Sequence, residues 1–357
     1  MKDREQSFRR TISGEARGIG PSCARTALAM AEPGYRAVVA MRNALFDRGW
    51  KAVHRVPRPV VSVGNLTTGG TGKTPVVAWL ADLLRRRLDG EIAILTRGYK
   101  SREGASDEAI LLDRLLNDGD APDVHVIINP DRVAAVRGAI AAHLNLKAFV
   151  MDDGFQHRRL HRDIDLVLID ATNPFGHGHL LPRGLLREPV AALRRADVVL
   201  ITRVDQSAAG VVEEVERSLR RVNIRAPVFR CSHAITSFRD ADGHAVSNEV
   251  LQQKRVVAFA GIGNPESFRA LLMRAGCNVV ATRWFGDHHA YSAADIAEIA
   301  KLAGEHGATA ITTAKDAVKL PAATTALVAD LQIAFANDDE QKLADFITGA
   351  VVKAAKV

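Results

Sequence analysis

The sequence predicts an α/β protein with a doubly wound, mostly parallel sheet, a second and smaller α/β domain, and an N-terminal amphipathic helix. Three observations predict it. Short apolar, β-branched runs alternate with helical stretches up to about residue 225. A glycine-rich turn stands between the first run and its helix, at Val60 to Leu80. A second alternation restarts at Val256, after a more polar stretch.

The chain has 357 residues, enough for two domains, and its 47% hydrophobic content supports a real core. Cys23, Cys231 and Cys277 form neither a metal spacing nor an even framework, which fits a reducing cytoplasm. Residues 1–60 hold 12 Lys/Arg against 5 Asp/Glu, the whole of the +7 excess. Such an arm suits a polyanionic surface, lipid or nucleic acid; a solvated leader without a partner is the plainer reading. No 18-residue apolar run and no secretory pattern is present.

In chain order, residues 1–20 are polar and basic, and disorder is expected there. Residues 34–50 read as a helix ending at Trp50, with Tyr35, Val38, Val39, Leu45 and Phe46 largely on one face. It is either an interfacial segment or a helix packed on its own domain. The expected division is 1–55 for this arm, 56–225 for a core domain, 226–250 for a connector and 251–357 for a C-terminal α/β domain.

Val60 to Leu80, VVSVGNLTTGGTGKTPVVAWL, is strand, glycine loop and helix, the setting of a phosphate-binding loop. Glycines let backbone N–H groups crowd phosphate oxygens, and the helix N-terminus adds partial positive charge. Lys73 suits β- and γ-phosphates, and Thr74 suits Mg²⁺. The strict pattern has Gly where Thr67 stands, so an ordinary glycine-rich turn is the competing reading. With the loop, the core domain reads as P-loop NTPase-like.

Ile92 to Thr96, Val124 to Ile128, Ala148 to Met151, Leu166 to Ile169 and Val198 to Ile201 read as further strands. Asp107 precedes a helical run, where its plain reading is a cap. Asp152 and Asp153 end a buried strand, as Mg²⁺-holding carboxylates do in nucleotide sites; Asp153 is either the second acid or a loop cap. Residues 173–189 form a long Gly/Pro loop, a length usually functional. His177 and His179 lack a third ligand, so no metal site is read there. Gly261 to Pro265 reads as a tight turn before a helix, and 340–357 as a terminal helix.

The stretches VGNLTTGGTGKTP, TRGY, SDE, PDRV, DDGFQHRRLHRDIDLVLID, LLPRGLLREP, AGIGNP, DHHAY and TTAKDAVKL, in order from about residue 56 to 320, resemble the tetraacyldisaccharide 4′-kinase family of Gram-negative bacteria. The resemblance implies transfer of the ATP γ-phosphoryl group to the 4′-hydroxyl of an acylated glucosamine disaccharide 1-phosphate, giving lipid IVA. It also implies the cytoplasmic face of the inner membrane. The arm's apolar face suits lipid and no aromatic-basic recognition module is read, so nucleic acid is not expected, and neither is a stable protein partner. By position, Thr67, Thr68, Gly69, Gly70, Thr71, Gly72, Lys73 and Thr74 bind ATP. Thr74 and Asp152 hold Mg²⁺, with Asp153 nearby. Asp107 is promoted to base for the sugar hydroxyl, tuned by His288, with His289 the competing choice. Asn65, Arg97, Tyr99, Arg132, Arg187 and Glu188 line the acceptor or phosphate side, with Arg187 and Glu188 taken as catalytic. If base and partner lie on different domains, closure assembles the site.

Two other classes compete. A P-loop GTPase or metallochaperone-type switch takes Thr202 to Asp205 as a guanine-reading motif, but Arg203 replaces its Lys. A non-enzymatic, membrane-bound nucleotide sensor leaves Asp107, DDGFQH and DHH without a role.

Overall fold

The computed structural model describes residues 2–98, 107–117, 123–142, 145–222, 224–240, 243–287, 289–321 and 324–356. Helix α1 (Lys2–Ser13) stands where disorder was expected. Ile12 is buried, and Arg183 Nη1 donates to its carbonyl at 3.0 Å. That contact satisfies a helix-end acceptor and anchors the segment.

Helix α2 (Ile19–Asp47) is longer than the expected 34–50 and runs through Pro33. An interior proline costs about 3 kcal/mol, and tertiary contacts offset it. Neighbouring Glu32 is buried and accepts from His179 Nδ1 at 3.0 Å, Leu180 N at 3.2 Å and Arg36 at 2.8 Å. Tyr35 packs on the core of its own unit, and Val39 is buried. The opposite arc carries Ile19, Met30, Val38 and Met41, 86, 80, 60 and 60% exposed. The packed side takes part of the stripe read from sequence, and an apolar arc stays exposed.

Next come β1 (Val60–Asn65), α3 (Lys73–Leu88), β2 (Glu91–Thr96), α4 (Asp107–Leu116), β3 (Val124–Ile128) and α5 (Arg132–Ala142). They are followed by β4 (Leu146–Asp152), β5 (Ile164–Asp170), β6 (Val198–Thr202) and α6 (Val211–Arg221). Every residue of β1, β5 and β6 is buried, as in a parallel sheet covered on both faces. Helix α3 buries Val76, Val77, Leu80, Ala81 and Leu84, one face at helical spacing, and ends in Arg85, Arg86 and Arg87, which complement the dipole.

Strand β7 (Val228–Arg239) replaces the expected connector. Phe229, Cys231, His233 and Ile235 are buried on alternate positions, the period of a half-covered strand. The remaining elements are β8 (Ala245–Val246), α7 (Asn248–Leu251), β9 (Arg255–Ala260), α8 (Pro265–Arg274) and β10 (Asn278–Trp284). Then follow α9 (Ala293–Glu305), β11 (Thr309–Thr313), α10 (Ala314–Ala317), β12 (Leu327–Phe335) and α11 (Asp339–Ala354). Strand β12 has no counterpart in the sequence reading; Asp330 within it pairs with Arg239 at 2.6 Å.

The chain forms two compact units: Met1–Arg97, Gly119–Cys231 and Phe335–Val357 in one, Gly98–Asp118 and Ser232–Ala334 in the other. They do not coincide with 56–225 and 251–357, because the chain leaves the first unit twice and returns. In the first unit the strand order is β7-β6-β5-β1-β4-β2-β3, with parallel neighbours throughout. The phosphate-type loop thus leaves the carboxyl end of a central strand, where open α/β sheets bind ligands. In the second unit the order is β10-β9-β11-β12, with β8 antiparallel to β7.

Candidate active site

Strand β1 delivers the loop. Asn65, its last residue, is buried; its Nδ2 donates to Thr67 O at 2.9 Å, and its Oδ1 accepts from Lys73 Nζ at 3.2 Å. Gly72 sits at φ 79°, a left-handed position that opens α3. A Cβ at Gly69 or Gly70 meets nothing within 4 Å, so the loop has room on that side. Gly64 has none: a Cβ there lies 2.5 Å from Phe155 Cβ.

Two segments hold the loop in shape. Thr68 N donates to Leu185 O at 2.8 Å, and Arg187 N to Leu66 O at 2.7 Å. From β6, Thr202 Oγ1 donates to Thr71 O at 3.2 Å and Arg203 Nη1 to Gly70 O at 2.9 Å, while Arg203 also pairs with buried Asp170. Arg203 is a buried brace for the loop, which gives the Thr202 to Asp205 stretch a role other than reading guanine. Sequence reasoning missed Asp170 and Arg203 as a pair.

Lys73 and Arg187 converge on Asp153. Lys73 Nζ lies 3.3 Å from Asp153 Oδ1, and Arg187 Nη1 donates to Oδ1 and Oδ2 at 3.0 and 2.8 Å. Burial alone raises this carboxyl's pKa; Lys73 and Arg187 outweigh it and hold it at about 2. Asp153, at φ 51°, is thereby paired with two cations, and Asp152 ends β4 level with Val63 of β1. Thr74 is the second residue of α3. A hydroxyl and a carboxylate are hard oxygen donors, the set that Mg²⁺ takes alongside waters and phosphate oxygens. These donor types fit the ion.

Arg132, 5% exposed at the start of α5, donates to Asn129 O at 2.6 Å. Burial lowers its pKa; Asp152 and Asp153 act on it upward and exposed Arg97 downward, which places these groups in electrostatic reach of one another. Gln156, missed as a site residue although DDGFQH was singled out, donates to Asn65 O at 2.9 Å and accepts from Arg187 at 3.4 Å. Glu188 does not join them. It is fully buried, paired with Arg42 of α2 and, at 2.6 Å, with Arg195, so the catalytic role expected for it gives way to fastening α2 beside Arg187. Tyr99 lies outside the described residues.

His157 faces this cluster. Burial, then Arg132, Arg162 and Arg159, push its pKa down to about 4. The unfolded chain takes up a proton near pH 6.5 that the folded state refuses until about 4. Stability therefore falls as pH drops through that window, by up to about 1.4 kcal/mol per pH unit. His157→Gln is expected to flatten the pH dependence of urea unfolding between pH 7 and 5; a slope identical to wild type rejects this.

In the second unit, Asp107 is the first residue of α4. Glu108 and Asp287 both pair with Lys315. His289 is committed elsewhere: its Nε2 meets Asp295 Oδ2 at 3.1 Å, within the capping box that opens α9, and its ring stacks on Phe285 at 4.6 Å. His288 lies outside the described residues. Asp107 and the DHH segment belong to the same compact unit, contrary to a base and partner on different domains. Among the described residues no group of three His, Cys, Asp or Glu side chains forms a metal centre, and His179 is taken by Glu32.

The family model described as tetraacyldisaccharide-1-P 4′-kinase matches residues 24–351. Among curated relatives, the tetraacyldisaccharide 4′-kinase of Anaeromyxobacter sp. (strain K) is 42% identical over 322 residues, covering 85% of this chain and 83% of its own. That of Geobacter sulfurreducens is 39% identical over 332 residues, covering 88% and 90%. Among solved structures, Aquifex aeolicus LpxK, crystallised in complex with ATP, is 30% identical with a TM-score of 0.70, covering 91% of this chain and 99% of that one.

Proposed function

This chain belongs to the tetraacyldisaccharide-1-P 4′-kinase family, and from that premise we propose how its residues divide the work. It is an ATP-dependent kinase of lipid A biosynthesis that phosphorylates the 4′-position of an acylated disaccharide 1-phosphate. Lys73 meets the β- and γ-phosphates, and the loop from Thr67 to Thr74 cradles them. Thr74 and Asp152 would hold Mg²⁺, which would supply neutralisation of phosphate charge. Arg187 steadies charge on the transferring group. The 4′-oxygen attacks the γ-phosphorus, the bond to the bridging oxygen breaks, ADP leaves, and the hydroxyl proton passes to Asp107, with His288 sharing it. Asn65, Arg97, Tyr99 and Arg132 serve the acceptor side.

The observation that carries the phosphate half is Lys73 held between Asn65 and Asp153, an ammonium poised at the mouth of a glycine loop. The test is transfer from Mg-ATP, compared with Mg-GTP, to tetraacylated disaccharide 1-phosphate in mixed micelles. Transfer from ATP supports the reading; no transfer, with GTP hydrolysed, favours the switch.

For location, no helix among the described residues is long and apolar enough to cross a membrane. We propose that the cytoplasmic face of the inner membrane is met by α2. At 100° per residue, Ile19, Cys23, Ala27, Met30, Gly34, Val38 and Met41 share one exposed arc without a charge. The basic residues of 1–60 favour anionic lipid. Burying a Met is worth roughly 1.5–3 kcal/mol. Met30→Glu with Met41→Glu is therefore expected to weaken flotation with phosphatidylglycerol vesicles about 100-fold or more. Undiminished flotation rejects the stripe as the lipid face.

A further inference from the structure

We propose that Lys315 is a positioning residue for the transfer, its ammonium fixing the first turn of α4, and so Asp107, to the loop that carries Asp287. The inference rests on the reading of Asp107 as the base. Lys315 Nζ lies 3.2 Å from Asp287 Oδ1 and 3.5 Å from Glu108 Oε1. Glu108 follows Asp107 directly, and Asp287 directly precedes His288. One cation therefore grips the sequence neighbours of both members of the acid–base pair.

The anchor beneath this grip is rigid. Lys315 stands on α10, and Asp316 beside it is fully buried. Asp316 accepts from Gly261 N at 3.0 Å, Thr313 Oγ1 at 2.8 Å and Lys319 Nζ at 2.8 Å. Thr313 caps α10 in return, accepting from Asp316 N at 3.1 Å. The short helix is thus tied to the end of β11 and to the turn after β9. An exposed ion pair contributes little. Here the Lys315 side chain is only 19% exposed, and removing it takes the shared cation from both carboxylates. Burial lowers the ammonium's pKa, but Asp287, Glu108 and Asp316 outweigh it and raise it, so the cation persists across the working pH range. These charges come from the loop after β10, from α4 and from α10.

The test compares full-length wild type, Lys315→Met, Lys315→Arg and Asp107→Asn with Mg-ATP and the lipid acceptor from pH 5.5 to 9. Lys315→Met is expected to lower kcat about 10- to 100-fold, the scale of a misplaced reacting group, with KM for ATP within about threefold. Lys315→Arg recovers most of the rate. If Lys315→Met does not fold, Glu108→Gln removes half of the grip and reads the same fall in kcat at unchanged KM for ATP. An unchanged kcat in the variant that folds overturns the proposal. Asp107→Asn with full activity overturns the base reading and this inference together. An inactive Asp107→Asn beside an unimpaired Lys315→Met overturns the positioning role alone.

Discussion

Asp107→Asn is expected to lower kcat for lipid phosphorylation by about 10²–10⁴-fold, the usual contribution of a positioned general base. The substitution separates two readings of one position. Asp107 is the first residue of α4, where its charge favours the helix start. Asparagine loses that charge, so a purely structural role predicts a stability loss of about 0.3–1 kcal/mol and an unchanged rate. A base role predicts the same small stability loss and a collapsed rate, because an amide cannot accept the hydroxyl proton. Thermal unfolding beside kcat at saturating ATP and acceptor distinguishes them. Full activity keeps the kinase and discards the base.

Lys73→Met is expected to lower kcat by about 10²–10³-fold, the scale of losing one preorganised contact to transition-state charge. Lys73 does two things in the structure. It presents an ammonium at the loop, and it shares Asp153 with Arg187. Without Lys73, the Asp153 carboxyl rises from about 2 towards the ordinary value near 4. It stays ionised at pH 7, so the loss at neutral pH reports on phosphate and not on protonation. A Lys73→Met enzyme within threefold of wild type at saturating ATP removes Lys73 from the transfer.

Much of the first unit was legible because its signals are local. A buried parallel strand is a continuous apolar run, and β1, β5 and β6 are buried along their whole length. The glycine loop announces itself by spacing, and Gly72 takes the left-handed position the motif requires. Strand β12 gave no comparable signal, since it is mostly half-exposed and carries Asp330, whose partner Arg239 is distant in sequence. Helix α2 begins well before the expected residue 34 and runs through Pro33, against propensity, with Glu32 and its three partners holding the helix there.

The sequence by itself determined the α/β class, the phosphate-type loop, the placing of Asp152 and Asp153 at a strand end, and the family. Each is carried by residue order along the chain, where period and spacing reflect local backbone geometry. Tertiary structure alone decided which charges meet. It turned Asp153 to Lys73 and Arg187, buried Glu188 between Arg42 and Arg195, gave Arg203 to the loop, and put Lys315 between Glu108 and Asp287. Most of these partners are tens to hundreds of residues apart. An ion pair is set by distance and burial in space, and neither quantity is written in the spacing of one chain.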